Sequence, residues 1–223
     1  GNYIKSELVK RDGIDYKTKG VHNYVTHVDT TAESMLVDGL LKIIPDSGFI
    51  TEEGTNNTKG RVFDWVIDPL DGTTNFIHGL APFAISVALM QHDEIVLGVI
   101  YEMGLKECFY AWKDGKAFLN GKGISVTKVA AINDSLIATG FPYHNYAYMD
   151  NFMKTIKFFM ENSHGLRRLG SAATDIAYVA CGRFEGFYEY GLNPWDIAAG
   201  IIILKQAGGK VSDFKGGENY LFG

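Results

Sequence analysis

A layered mixed α/β fold, with two sheets and helices sandwiched between them, is what this sequence predicts. Three observations predict it. Residues 83–121 are dense in strand-like runs separated by Asp-Gly and Asn-Gly turns. From about residue 134 onward, short apolar runs alternate with helical patterns. No stretch approaches the roughly 18 consecutive apolar residues of a membrane-spanning helix. An antiparallel block followed by an alternating one reads as an α+β or layered α/β build.

Taken in order, residues 1–28 are mixed, with a polar break through Lys17, Thr18, Lys19 and Gly20. Thr30 and Glu33 fit a capping box, and Met35, Leu36, Leu40, Leu41 and Ile44 follow at helical spacing. This predicts a helix over about 31–44, stopped by Pro45. A Gly-, Asn- and Thr-rich loop runs from Gly48 to Gly60, and Val62 to Ile67 reads as a buried strand. Phe83–Met90, Ile95–Tyr101 and Glu107–Trp112 are strand-like, with hairpin turns at Asp114-Gly115 and Asn120-Gly121. Beyond them come a strand at Leu136–Thr139, a helix at Met149–Met160 and a short strand at Arg167–Leu169. A helix at Ala172–Cys181, a strand at Phe184–Tyr190 and a helix at Pro194–Ala207 complete the series. Asn193 is suited to cap the last helix and Pro194 to open it. There is no internal repeat or low-complexity linker, so residues 1–223 are expected to form one domain. Its antiparallel-rich part ends at about 130 and its alternating part begins at about 131.

Composition excludes several classes. An apolar fraction of 46% and a charged fraction of 21% are ordinary for a soluble globular protein. A net charge of −5, with no basic run, disfavours nucleic acid and anionic membranes as partners. An anionic substrate then needs a local cation or helix N-termini. Cys108 and Cys181 are far apart and in no CxxC pair. They are expected as small buried hydrophobes in a reducing compartment, which together with the lack of a signal-peptide pattern suggests the cytoplasm. The chain opens on Gly1 and closes on Gly223 within what reads as a turn, so both termini are expected to be incomplete.

The chemistry concentrates where acidic residues precede turns. Asp68 ends the apolar run Val62–Ile67, and Asp71 follows three positions later, with Pro69 and Gly72 forcing a turn. Two carboxylates bracketing a turn at a strand's carboxyl end can face one crevice, where ligands bind in layered sheets. Like charges held together need a cation or a shared proton. Oxygen ligands without His or Cys favour magnesium, manganese or calcium. The same Asp-Pro-x-Asp-Gly is also ordinary turn chemistry. Gly72, Thr73 and Thr74 supply N–H groups and hydroxyls that suit either a phosphate cradle or a plain helix start. Asp196 lies in the first turn of the last helix, where an acid complements the helix dipole, and Trp195 beside it reads as core packing. Glu52 and Glu53 lie in the loop before the strand, and Asp29 is placed to cap the next helix. The six histidines show no metal spacing, and no GxSxG elbow is present. Gly115–Lys122 has the wrong spacing for a P-loop.

Together, these pieces resemble the inositol monophosphatase family. WVIDPLDGTTNF at Trp65–Phe76 and NPWDIAAGIIILKQAGG at Asn193–Gly209 carry most of the likeness. VTHVD at Val25–Asp29, TEEGT at Thr51–Thr55 and GSAATDIAYVACGRFEGFYE at Gly170–Glu189 match in order and separation. The resemblance implies a five-layer α-β-α-β-α sandwich, usually a homodimer, that hydrolyses a small phosphate ester. It implies two or three Mg2+ ions, with Mn2+ as a possible substitute. Glu52, Asp68, Asp71, Asp196 and the Leu70 carbonyl would be ligands. Glu52 and Thr73 would orient the attacking water, with Asp29 near the site through its water shell or Thr73. Gly72 and Thr73 would hold the phosphate, while Gly170, Ser171, Ala172, Glu189 and Asp196 would meet the rest of the substrate. Lys17 or Lys19 matches the family's lysine ahead of VTHVD. The family's nucleotide phosphatases carry Lys after DGT, where this chain has Thr74-Asn75, which points to the inositol branch. The alternatives within the family are fructose bisphosphatase, 3′-phosphoadenosine nucleotide phosphatase and histidinol phosphatase. A regulatory binding protein on the same fold is the alternative of another class. An acid–base pair for glycoside hydrolysis leaves Gly72-Thr73-Thr74 without a role.

Overall fold

The computed structural model describes residues 1–9, 16–20, 23–142 and 145–222. Its elements, in chain order, begin with α1 (Asn2–Val9), β1 (Tyr16–Gly20), β2 (Asn23–Thr26) and α2 (His27–Leu41). Next are β3 (Gly48–Thr51), β4 (Phe63–Asp71), α3 (Thr73–His78), β5 (Ala84–Gln91) and β6 (Glu94–Glu102). Then come β7 (Glu107–Trp112), β8 (Ala117–Leu119), β9 (Lys122–Gly123) and β10 (Leu136–Thr139). The chain continues through α4 (Met149–Asn162), β11 (Gly165–Arg167), α5 (Ala172–Ala180), β12 (Gly186–Tyr188) and α6 (Pro194–Gln206).

β3 to β9 form one seven-stranded sheet in sequence order, parallel between β3 and β4 and antiparallel elsewhere. β4 is buried on both sides, which explains its unbroken apolar run from Trp65 to Ile67. Its alternating side chains feed two cores. Trp65 and Ile67 join Ile4 of α1 and Val28, Ala32 and Val37 of α2. Val66 joins Ile176 of α5 and Ile197, Ile201 and Ile203 of α6. α6 lies close on the sheet because residue 98 is glycine. A Cβ there would sit 2.6 Å from both the Ala199 carbonyl oxygen and Ile202 Cγ2. Beyond α5 and α6 lies a parallel three-stranded sheet ordered β11-β10-β12. α4 covers it, packing Phe152 and Phe159 on Tyr188 at centroid distances of 5.7 and 5.5 Å. The order of layers is α1/α2, large sheet, α5/α6, small sheet, α4: the α-β-α-β-α arrangement expected.

Several local expectations change. α2 begins at His27, not at 31, because Thr26 and Asp29 form the capping box that Thr30 and Glu33 were expected to form. It ends at Leu41, before Pro45. The expected loop from Gly48 contains β3, since Gly48–Thr51 pairs in parallel with Asp64–Ile67. α1 was not foreseen in the mixed N-terminal stretch, and the polar break contains β1. β11 starts two residues earlier than expected, and β12 is confined to three residues. Both Asn120 and Gly121 have positive φ, as their hairpin turn requires. Cys108 and Cys181 are free and half-buried rather than fully buried. Lys17 is exposed on β1, and the Lys19 side chain lies outside the described residues.

Candidate active site

Asp68 and Asp71 are three positions apart, an odd offset, so a regular strand would point them to opposite faces. A bulge removes the difficulty. Between the pairs Asp68–Ser86 and Asp71–Ala84, β4 spends one residue more than β5. Pro69 sits inside this bulge, where its missing N–H is tolerated. Asp68 Oδ1 accepts the Leu70 N–H at 2.9 Å and closes the turn. Gly72 then adopts φ 93, in the left-handed region that favours glycine, and caps α3.

Both aspartates line a cavity of about 300 Å³. Glu52, Leu70, Gly72, Thr73, Gly170, Ser171, Ala172, Glu189 and Asp196 line it with them. Of the residues that the resemblance gave to the metal, the attacking water and the substrate, all but Asp29 line this cavity. Asp29 stands outside the wall, directly behind Thr73. Thr73 Oγ1 donates to Asp29 Oδ1 at 2.8 Å and lies 3.0 Å from the Leu70 carbonyl oxygen. Asp29 Oδ2 accepts from the Thr26 N–H at 2.8 Å and from the Thr26 hydroxyl at 2.6 Å. Asp29 therefore both caps α2, as the sequence suggested, and accepts a hydrogen bond from the Thr73 hydroxyl. Burial raises its pKa, opposed by the donors of Thr26 and Thr73.

The remaining acids come from separate elements. Asp71 Oδ2 accepts from the Ser171 hydroxyl at 2.6 Å and the Ala173 N–H at 2.7 Å, at the start of α5. Asp196 Oδ2 accepts the Asn193 N–H at 2.6 Å, completing a capping box with Pro194 as the first residue of α6. Burial is the leading cause of every shift in this wall. It holds Asp68 well above the usual carboxylate range, helped by the charges of Glu52, Asp71 and Asp196. It pushes Asp71 to about 6, opposed by the hydrogen bonds of Ser171, Ala173 and Ala172 and by Arg168. It raises Asp196 to about 7, opposed by Asn193 and aided by Asp71. Glu189 rises to about 8 through burial, then Asp71 and Asp196.

A group of buried carboxylates that repel one another invites a cation. The wall offers Glu52, Asp68, Asp71, Asp196 and the Leu70 carbonyl as oxygen donors, and among the described residues no His or Cys lines it. That set fits a hard divalent ion of the Mg2+ kind. Among the described residues, no three His, Cys, Asp or Glu side chains close a cage unaided. Asp68, Asp71 and Asp196 each turn an oxygen to a protein donor, and Mg2+ ordinarily keeps waters and substrate oxygens in its shell.

Three contributors escaped the sequence reading. Arg168 lines the cavity and offsets the charges of Asp71, Glu189 and Asp175. Asp175, buried in α5, is pushed to about 9 by burial, then by Asp71 and Glu189. Gly140 lies beside Glu189 because β10 pairs Thr139 with Tyr188. A Cβ on residue 140 would fall 1.9 Å from the Glu189 carboxyl carbon. The pair Arg167-Arg168 ahead of Gly170 was the available signal for the arginine. Gly140 and Asp175 had none, because their roles depend on strand register and helix packing.

The family description "Inositol monophosphatase family" matches residues 1–222. An inositol-1-monophosphatase from Mesorhizobium japonicum is 39% identical over 222 residues, covering 99% of this chain and 84% of that protein. A protein named Nus factor SuhB in Escherichia coli K12 is 40% identical over 222 residues, covering 99% and 83%. The crystal structure of the extragenic suppressor protein suhB from Bartonella henselae superimposes with a TM-score of 0.93 at 37% identity, covering 97% of this chain and 83% of that one. The matched residues include the cavity wall described above, and the chain belongs to the inositol monophosphatase family of metal-dependent phosphoric monoester hydrolases.

Proposed function

We propose that the protein hydrolyses a small sugar or cyclitol monophosphate, with inositol 1-phosphate as the leading substrate, in a Mg2+-dependent reaction. The observation that carries this reading is the convergence of four carboxylates and the start of α3 on one cavity of about 300 Å³. Glu52, Asp68, Asp71, Asp196 and the Leu70 carbonyl hold the metal. When bound, Mg2+ supplies a lowered water pKa and neutralises charge on the ester oxygen.

The chain's own residues do the rest. The Thr73 hydroxyl donates its hydrogen bond to Asp29, so its oxygen presents lone pairs to the attacking water, and Glu52 accepts that water's proton. Backbone N–H groups of Gly72 and Thr73 bind equatorial phosphoryl oxygens, where transition-state charge lies. Ser171, Ala172, Gly170 and Glu189 meet the hydroxyls of the alcohol. The protein is proposed to work as a cytoplasmic homodimer. Its free, half-buried cysteines support a reducing compartment, and no helix of the described residues is long and apolar enough to cross a membrane.

The test is phosphate release from inositol 1-phosphate, fructose 1,6-bisphosphate, 3′-phosphoadenosine 5′-phosphate and histidinol phosphate. Fastest release from inositol 1-phosphate supports the reading, and a preference for another ester reassigns the branch. A second reading, a partner-binding role on the same fold, is favoured by the 40%-identical relative named a Nus factor. It takes over if Mg2+-loaded protein releases phosphate from none of the four.

A further inference from the structure

We propose that Glu33 is a positioning residue for Glu52, holding the loop that presents it to the cavity. The inference rests on the phosphatase reading of that cavity.

α2 carries Asp29 and Glu33 four residues apart, on one face of the helix. Both side chains are completely buried, at 0% exposure. Asp29 reaches one part of the wall through Thr73. Glu33 reaches another. Its Oε2 accepts the Glu53 N–H at 2.8 Å, and its Oε1 accepts the Thr55 N–H at 2.9 Å and the Thr55 hydroxyl at 2.8 Å. Hydrogen bonds to a buried carboxylate are the strong kind. Two N–H groups flanking one residue converge on a single carboxylate here because Gly54 between them has φ 71. Glu33 takes no part in capping α2, which Thr26 and Asp29 perform. Its two carboxyl oxygens are taken up by the 53–55 segment.

Glu52 directly precedes this clamp. Its own N–H is tied to the Ile67 carbonyl at 3.2 Å, and the Thr51 N–H to Asn57 Oδ1 at 3.0 Å. Glu52 therefore sits between the strand anchor of β3 and the Glu33 anchor. A group that orients a reacting water must be held within about 0.5 Å of its working geometry. With Asp29 and Glu33 on one rigid helix, α2 sets Thr73 and Glu52 relative to each other.

Glu33→Gln keeps the volume but turns an NH2 group toward a donor, so it breaks the bond to Glu53 or Thr55. Thr55→Val removes one donor and leaves the carboxylate intact, and it carries the same test if Glu33→Gln does not fold. Four quantities are read on each purified variant: amide hydrogen exchange at Glu53 and Thr55, the Mg2+ isotherm by calorimetry, kcat with KM on inositol 1-phosphate, and Tm. For Glu33→Gln, exchange at those amides accelerates, and kcat and Mg2+ affinity fall by about 10–100-fold, as for lost outer-shell partners of metal sites. KM stays within about twofold, because the phosphate and hydroxyl contacts remain. Thr55→Val shows the same pattern at smaller size. A folded Glu33→Gln variant with faster amide exchange but wild-type kcat and Mg2+ isotherm overturns the proposal, as does unchanged exchange. If the wild-type protein releases no phosphate from any ester, the functional reading fails by itself. The exchange rates and the Mg2+ isotherm then still decide the role of Glu33.

Discussion

Replacing Asp196 with Asn removes one negative charge from the cavity wall and leaves a side-chain oxygen to accept the Asn193 N–H. In the metal-free protein this change stabilises the fold at neutral pH. Burial, together with the charge of Asp71, raises Asp196 from 3.8 to about 7. The folded state then holds this proton more tightly than the unfolded chain. Between those two values stability falls as pH rises, because the native state binds more protons. Such a difference between the two states corresponds to a destabilisation of up to about 4 kcal/mol at pH 7 and above. Relief of even half of that raises Tm by roughly 4–8 °C in a chain of this length. The assay is thermal unfolding of wild type and Asp196→Asn in chelator at pH 7.5 and pH 5, then with excess Mg2+. The variant unfolds at higher temperature at pH 7.5, and its advantage shrinks by more than half at pH 5, where the wild-type carboxyl already carries its proton. Mg2+ stabilises the wild type and has little effect on the variant. A variant less stable than wild type in chelator at pH 7.5, or an advantage equal at both pH values, would refute the reasoning.

Other perturbations follow from the same geometry. Asp71→Asn keeps the fold but abolishes turnover at saturating Mg2+, and retained turnover in a folded protein would remove Asp71 from the ligand set. Mg2+ affinity falls as pH drops from 8 to 5, since Asp196 near 7 and Asp71 near 6 take up protons that compete with the metal; a flat calorimetric profile contradicts this. Gly140→Ala drives a Cβ into the Glu189 carboxyl group, so KM for a polyol phosphate rises more than kcat falls. Equal kcat and KM would show that Glu189 does not meet the substrate. Gly98→Ala forces α6 away from the sheet and costs about 1–3 kcal/mol of stability, read by denaturant unfolding.

The parts of this molecule that were legible in its sequence are those written as continuous strings. β4, the bulge and α3 occupy adjacent positions from Phe63 to His78. Their apolar run, Pro69, Gly72 and the two aspartates could therefore be read together. Asp196 was legible because Asn193 and Pro194 mark the start of its helix. Glu33 was misread because Thr30-x-x-Glu33 and Thr26-x-x-Asp29 both satisfy the same capping pattern. Local sequence does not say which wins. The contact of Glu33 with Glu53 and Thr55, 20 and 22 residues away, decides it. β3 was hidden in a polar loop since its pairing partner lies in β4 rather than in a neighbouring hairpin. Gly140 and Arg168 owe their places to the packing of the small sheet against α5, which no local periodicity encodes.

The central claim is that the buried carboxylates serve a divalent cation used to hydrolyse a phosphate ester. The most direct measurement is the initial rate of phosphate release from inositol 1-phosphate by the wild-type protein, across a Mg2+ titration and in chelator. The rate climbs to saturation with Mg2+ and returns to background in chelator. Release that persists undiminished in chelator, or none at any Mg2+ concentration, would contradict it.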